Sequence, residues 1–304
     1  MWKYQQYKNF RKLQNEFAKK WFAKKGVAVQ EKYPFILKTN SQWKENLILV
    51  EVADFIELNK KEYEDKKIPF PLHKYIHHGL SSQAMIFNLL GDATLKKDKQ
   101  FFTSLFAFDN IVIDDSSKLL FEYSDRKVFN EKQQQPTSFD FAIENSKGKN
   151  IFLEAKYVET EFGKCSTIES GECDGMNPIN DINLCYLTHC ERNYWDLMKK
   201  HNLSEPYKNS RICPFAIYYQ FYRELLFAVE KNGYFVILID KRNPAFIKTD
   251  GVNERGLIPI LTSPLSEQMK DIVKVIYIQD VVKLLERFGY SWVSEFKIKY
   301  GLEE

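Results

Sequence analysis

The chain has 304 residues, which fits one large domain or two small ones, and its 44% hydrophobic and 15% aromatic residues are ample for a core. No apolar run approaches the roughly 18 to 20 residues that span a bilayer, and the N-terminus lacks the apolar segment of a secretory signal. The net charge of +3 with 28% charged residues is ordinary for a soluble protein, so we expect a cytoplasmic protein without a membrane partner.

The positive charge is concentrated at the N-terminus. Residues 1–25 contain eight Lys or Arg and one Glu, a local charge of +7, so the remainder sums to −4. Aromatic residues lie among these lysines, including Trp2, Tyr4, Tyr7, Phe10 and Trp21. The segment either lies along a phosphate backbone or forms an amphipathic helix with a solvated lysine face, and the sequence leaves both open.

Helices dominate the first hundred residues. Apolar residues at three- and four-residue spacing predict helices over residues 5–25, 42–65, 81–90 and 100–108. Ser81 or Ser82 is expected to cap the third of these helices, and Gly91 to end it.

Strands come next. Short segments rich in aromatic and β-branched residues predict three strands, over residues 119–124, 139–144 and 150–158. The polar loop 146–149 joins the last two as a hairpin.

The second half of the chain alternates between helices and strands. Helices are predicted over 181–200, 214–231, 280–289 and the final residues, and strands over 234–240 and 274–280. The continuous apolar run 234–240 is typical of a strand buried on both faces. This order predicts an α/β fold with a sheet wrapped in helices.

The five cysteines all fall between residues 165 and 213. Their odd number and the absence of a CxxC pair favour free thiols in a reducing compartment. His189 lies beside Cys190, but the spacing matches no standard zinc pattern, so zinc binding stays open.

Three ionisable residues lie in the predicted hairpin: Asp140 on its first strand, and Glu154 and Lys156 on its second. Strand side chains alternate, so Glu154 and Lys156 point to one face, and pairing brings Asp140 beside them. The two carboxylates, with the backbone carbonyl of Ala155, are suitable ligands for Mg²⁺. Lys156 would stabilise the reacting phosphate, or orient and deprotonate a water if its pKa is lowered. The alternatives are a buried salt bridge or the solvated face of a hairpin.

The sequence from Pro136 to Lys156, PTSFD followed by LEAK, resembles the PD-(D/E)XK nuclease superfamily. The proline precedes Asp140 by four residues, which departs from a literal PD. The resemblance implies a restriction-endonuclease-like core, a central mixed sheet with an antiparallel meander flanked by helices, with extra N-terminal and C-terminal helices. Residues 1–75 are then a helical extension and 76–304 the nuclease domain, or the chain is one continuous domain.

The resemblance also indicates four supporting residues. Gln83 lies on the helix expected beside the site and Glu122 on the first strand, where the alternatives are a surface glutamine and an exposed strand residue. Gln220 and Arg223 share a face of a later helix and would contact DNA, or Arg223 forms a surface ion pair with a nearby glutamate. His73, His77 and His78, in the sequence HKYIHH, lack a zincin glutamate and are interpreted as a polar or DNA-facing patch.

We therefore expect a Mg²⁺-dependent endodeoxyribonuclease of the restriction type, in which Mn²⁺ can substitute and double-stranded DNA is the substrate. A homodimer is expected if both strands are cut. No phosphate-binding loop is present in the sequence, so no use of ATP is expected. The alternatives are a repair nuclease or exonuclease of the same fold, and a non-catalytic nucleic-acid-binding module.

Overall fold

The computed structural model describes residues 4–132, 136–250 and 253–303, and within them a mixed β-sheet is flanked by helices. The strands are Lys118–Ser124 (β1), Ser138–Glu144 (β2), Asn150–Lys156 (β3), Gly233–Ile239 (β4), Lys248–Asp250 (β5), Asn253–Arg255 (β6) and Val273–Tyr277 (β7). Five of them form one sheet in the order β1-β2-β3-β4-β7, and β5 pairs with β6 apart from it. The first three strands are antiparallel neighbours, whereas β3, β4 and β7 run parallel.

The helices of the described residues surround this sheet. They are Tyr4–Lys25 (α1), Val50–Asp65 (α2), Ser82–Leu95 (α3), Lys99–Leu105 (α4), Ser166–Glu169 (α5), Tyr186–His189 (α6), Tyr194–Lys200 (α7), Pro214–Glu230 (α8), Leu257–Thr262 (α9), Glu267–Ile272 (α10), Ile278–Arg287 (α11) and Val293–Tyr300 (α12). Short 3-10 helices cover Asn40–Asn46, Ile182–Leu184 and Glu205–Tyr207. No helix in the described part of the chain is both long enough and apolar enough to cross a membrane.

Both faces of the sheet carry a hydrophobic core. One core, which we call the α3 cluster, includes Phe87, Leu90, Leu153, Val236 and Leu238. The other, which we call the α8 cluster, includes Phe152, Phe221, Leu225, Phe235 and Ile237. Successive residues of β4 alternate between the two clusters, and all seven are buried. The prediction of a strand covered on both faces is confirmed.

The helix α3 begins as predicted but does not end at Gly91. The Ser81 hydroxyl accepts a hydrogen bond from the Ala84 N–H at 3.2 Å, which confirms it as the cap. The helix then continues to Leu95. A Cβ on Gly91 would lie 2.4 Å from Cγ1 of Val52 on α2. The glycine therefore allows two helices to approach closely and does not terminate one.

Two other predicted helices are interrupted by tertiary hydrogen bonds and turns. The segment 42–65 contains a break between Asn46 and Val50, where Ile48 N–H donates to Asn88 Oδ1 at 2.7 Å. The Asn46 amide donates to the Ile76 and His78 carbonyls at 2.7 Å. The segment 181–200 is divided into short helices, and Glu191 between them has φ 57°. The pair β5–β6 and the helices α9 and α10 were not predicted.

The N-terminal helix α1 packs against α12 through an amphipathic face. Phe10, Ala18 and Trp21 are buried, whereas Lys8 and Lys12 are exposed. The amphipathic interpretation therefore holds for α1, and Trp21 is not accessible for stacking on a nucleic acid. Trp2, also named in the basic segment, lies outside the described residues. Ala18, with Val52, Ala53 and Ile56 of α2, belongs to the α3 cluster together with residues of the sheet.

Candidate functional site

Three carboxylates lie side by side across β1, β2 and β3. On either side of Glu122 and Asp140, Phe121 pairs with Phe141 and Tyr123 with Phe139, so Glu122 and Asp140 are lateral neighbours. Phe141 also pairs with Leu153, which places the next residues, Asp140 and Glu154, opposite each other. We call Glu122, Asp140 and Glu154 the acidic row.

The first two strands of the meander, β1 and β2, rotate at the acidic row. Residues two apart on a regular strand share a face. Phe121 and Phe141 nevertheless belong to the α3 cluster, whereas Tyr123 and Phe139 belong to the α8 cluster. The rotation coincides with a left-handed backbone at Glu122, φ 51°. Such a conformation costs a non-glycine residue on the order of 1–3 kcal/mol and often marks a functional site.

The Asp140 side chain accepts a hydrogen bond from a backbone N–H of β3 that lies beyond the paired residues of β2 and β3. The pairing of β2 with β3 ends at Phe141 and Leu153, and beyond it Asp140 Oδ2 accepts from the Ala155 N–H at 2.8 Å. The N–H and C=O of one strand residue point to the same neighbouring strand. The Ala155 carbonyl therefore points toward the edge occupied by Asp140. Glu154 and Lys156 flank this residue on the α8 side of β3.

Lys156 and Glu154 form a buried ion pair closed by Gln220 of α8. Lys156 Nζ donates to Glu154 Oε1 at 2.8 Å and to Gln220 Oε1 at 2.7 Å. The Gln220 amide in turn donates to Glu154 Oε1 at 2.7 Å. Burial lowers the pKa of Lys156, but the carboxylates of Glu154, Glu159 and Glu224 more than offset this effect and raise it. The side chain is therefore held as an ammonium.

Glu224 belongs to the same network and was not predicted. Gln220 Nε2 also donates to Glu224 Oε1 at 2.8 Å. Glu224 is fully buried and its Oε2 has no hydrogen-bond partner in the described residues. Burial, and then the charge of Glu154, raise its pKa well above the ordinary value. The signal in the sequence was the i, i+4 spacing of Gln220 and Glu224 on an otherwise apolar helix.

Gln83 and Glu122 meet at the other side of the acidic row. Gln83 Nε2 donates to Glu122 Oε1 at 2.6 Å, and both side chains are buried. The alternatives of a surface glutamine and an exposed strand residue were therefore wrong. The pKa of Glu122 is raised to about 8, mainly by burial. The hydrogen bond from Gln83 partly opposes this rise, and the charge of Glu154 adds to it.

Arg223 turns away from the acidic row. Its guanidinium lies 4.8 Å from the ring centre of Tyr219, and its Nε has no hydrogen-bond partner in the described residues. The alternative to a DNA contact was a surface ion pair of Arg223 with Glu224 or Glu230. Glu230 instead accepts from Lys200 at 2.7 Å and from His201 at 2.5 Å. Of the two α8 residues predicted to contact DNA, Gln220 alone joins the acidic row.

The acidic row has side chains suited to binding a cation, but they do not converge on a single metal position. Burial, followed by the charges of Glu154 and Glu122, raises the pKa of Asp140 well above its ordinary value, so a cation here would offset unfavourable repulsion. The donors are hard oxygens, which suit Mg²⁺. Among the described residues no three His, Cys, Asp or Glu side chains already converge as a metal site. Glu122 and Glu154 are instead held by Gln83, Lys156 and Gln220, and would have to turn toward a metal.

The cysteine segment shows no metal site either. The structure describes all five cysteines, and each is a free thiol. Neither they nor the histidines at 73, 77 and 78 form a metal-binding group within the described ranges.

A family model described as Restriction Endonuclease associating with ARP matches residues 10–301, nearly the whole chain. The match confirms the resemblance to restriction-endonuclease-like proteins. Searches of curated proteins and of solved structures gave no significant match.

Proposed function

The chain belongs to the family described as Restriction Endonuclease associating with ARP, and we propose from this premise that it is a metal-dependent endodeoxyribonuclease of the restriction kind. The five-stranded sheet with its antiparallel meander then corresponds to a restriction-endonuclease-like core. Double-stranded DNA is the proposed substrate, in line with the family's description.

One observation carries this proposal. Asp140, the Ala155 backbone, Glu154 and Lys156 meet where β2 and β3 separate, and Asp140 is hydrogen-bonded directly to Ala155. If these residues formed a salt bridge that only stabilised the fold, each buried carboxylate would have a cationic partner. Here one ammonium is shared by Glu154 and a neighbouring glutamine, whereas Asp140 and Glu122 have no cationic partner among the described contacts. Buried carboxyl groups without a cationic partner are costly to ionise, and such a cluster is typical of a cation-binding or catalytic site.

Asp140, Glu154 and the Ala155 carbonyl would hold Mg²⁺ or Mn²⁺. When bound, the ion supplies a water of lowered pKa and neutralises charge on the phosphate. Lys156 remains charged and stabilises the negative charge that builds on the phosphate oxygens. The raised pKa of Lys156 argues against its acting as the base that deprotonates the water.

Gln220 and Gln83 would position the charged groups. Because the Gln220 Nε2 donates to two carboxylates, its Oε1 faces Lys156 and fixes the direction of that side chain. Gln83 holds Glu122 at the other end of the acidic row. The row provides one site per chain, so cutting both strands of a duplex calls for two copies of the protein.

Plasmid cleavage tests the proposal. The wild type with Mg²⁺ is expected to nick or linearise supercoiled DNA and to be inactive with EDTA. Asp140→Asn, which keeps the size of the side chain, is expected to bind DNA and not cut it. Glu144→Gln is the matched control, since it removes a carboxylate four residues along the same strand. A ladder from a DNA end would indicate an exonuclease, and binding of DNA without any cutting by the wild type would indicate a non-catalytic module.

A further inference from the structure

A loop beside the acidic row presents a cluster of aromatic rings to solvent. Tyr75 is 46% exposed, and its ring centre lies 5.3 Å from that of His73 and 4.8 Å from that of His78. His73 is exposed as well. We call His73, Tyr75 and His78 the Tyr75 surface. Single exposed aromatic side chains are common, but here the exposed Tyr75 ring contacts both the exposed His73 and the half-buried His78. Together they form a surface on which a flat ligand can stack.

The Tyr75 surface is tied to the acidic row by a single side chain. Gln83 Oε1 accepts from the His73 N–H at 2.8 Å, while its Nε2 donates to the Pro71 carbonyl at 2.9 Å and to Glu122 Oε1 at 2.6 Å. The amide oxygen of Gln83 thus bonds to the loop, and its amide nitrogen bonds both to the loop and to the Glu122 carboxylate. The loop cannot move far without disturbing Glu122, so a ligand on the surface has a fixed position relative to the row.

The charges around the Tyr75 surface suit a nucleotide. Lys74 is exposed, and its Nζ lies 4.8 Å from the ring centre of Tyr75. Burial, and then the neighbouring His77, His73 and Arg11, lower the pKa of His78 to about 4, so its ring is neutral at physiological pH. Neutral rings beside an exposed ammonium are the combination that holds a base by its face and a phosphate by its charge.

We propose that the Tyr75 surface binds an unpaired base of the DNA strand next to the cleaved phosphate, with Lys74 contacting the backbone. This inference rests on the proposed nuclease function. A base inside a duplex has both faces covered by its neighbours, so stacking on Tyr75 requires a base that is unstacked. DNA with a single-stranded tail or an internal bubble is therefore the preferred ligand.

Binding by the full-length protein in EDTA tests this without cleavage. Wild type is expected to bind a tailed duplex more tightly than a blunt duplex of the same length. Tyr75→Ala should weaken binding to the tailed duplex about tenfold to a hundredfold, the range of one lost base–aromatic stack. Binding to the blunt duplex should stay unchanged. Tyr75→Phe keeps the ring and should behave as wild type.

Tyr186→Ala is the matched control. Tyr186 is 43% exposed but lies on α6, outside the Gln83 network, and its loss should not change the preference for tails. A fluorescent adenine analogue in the tail should be quenched on binding to wild type and to Tyr75→Phe, and not on binding to Tyr75→Ala. Equal affinity of wild type for tailed and blunt DNA, or an unchanged Tyr75→Ala, overturns the inference. If that happens but the protein still cuts blunt DNA, the nuclease proposal is unaffected. A preference for tailed DNA without any cutting would instead support base binding by the Tyr75 surface and contradict the nuclease proposal.

Discussion

Replacing Glu122 with Gln should stabilise the protein at neutral and alkaline pH. The substitution keeps an oxygen that can accept from Gln83 Nε2, and it removes a carboxylate buried between that amide and the rest of the acidic row. The pKa of Glu122 is raised on folding from an ordinary value of 4.5 to about 8. A carboxyl group of this kind binds its proton more tightly in the folded protein, so wild-type stability falls as pH rises between these two values.

The size of the effect follows from the shift in pKa. One pKa unit corresponds to about 1.4 kcal/mol, so the rise from 4.5 to about 8 costs the wild type about 5 kcal/mol above pH 8. At pH 7 about 70% of this cost is present, roughly 3 kcal/mol. At pH 5 the cost is below about 1 kcal/mol. Glu122→Gln carries none of it.

Denaturant unfolding at pH 5, 7 and 8.5 measures this difference. The free energy of unfolding of Glu122→Gln should exceed that of wild type by an amount that grows with pH. Glu144→Gln, a carboxylate removed at the far end of β2, controls for the loss of charge from the sheet. A difference that is the same at all three pH values, or a variant less stable than wild type at pH 8.5, would refute the reasoning.

Two further changes test the helix packing and the Lys156 network. Gly91→Ala should lower the free energy of unfolding by about 1–3 kcal/mol, because its Cβ would overlap Val52; Val52→Ala in the same chain should restore most of the loss, and failure of that rescue would refute the contact. Gln220→Ala should slow single-turnover cleavage while DNA affinity in EDTA stays unchanged, because it releases Lys156 from its fixed direction. Reduced affinity with an unchanged rate would instead assign Gln220 to DNA binding.

The central part of the site follows from local rules of sequence. Alternation along β3 places Glu154 and Lys156 together, and the short loop 146–149 limits how β2 can pair, so Asp140 falls opposite Glu154. The long apolar run of β4 likewise predicts, from local sequence alone, that this strand is buried on both faces. These inferences need no knowledge of distant residues.

The rest of the site depends on contacts between segments far apart in the chain. Gln83 reaches Glu122 across 39 residues, and Gln220 reaches Lys156 across 64. No local pattern encodes which helix packs over which strand, so the roles of these residues could only be suggested by resemblance. The left-handed backbone at Glu122 is also invisible in the sequence, since nothing in LLFEYS indicates a rotation within the strand.

Gly91 shows how one residue type can carry two meanings. Glycine commonly follows the end of a helix, and the sequence alone favours that interpretation. In the folded protein the same residue is the contact between α3 and α2, and the helix runs on for another turn. Only the position of Val52, fixed by the packing of α2, distinguishes the two.

The most direct test of the central claim is the single-turnover rate of DNA cleavage with Mg²⁺ by Asp140→Asn, compared with wild type and Glu144→Gln. The loss of a charge that acts on the reacting phosphate through the metal should lower the rate at least about a hundredfold. Glu144→Gln should cut at the wild-type rate. Cleavage by Asp140→Asn as fast as by wild type would contradict the assignment of the acidic row as the site of phosphodiester hydrolysis.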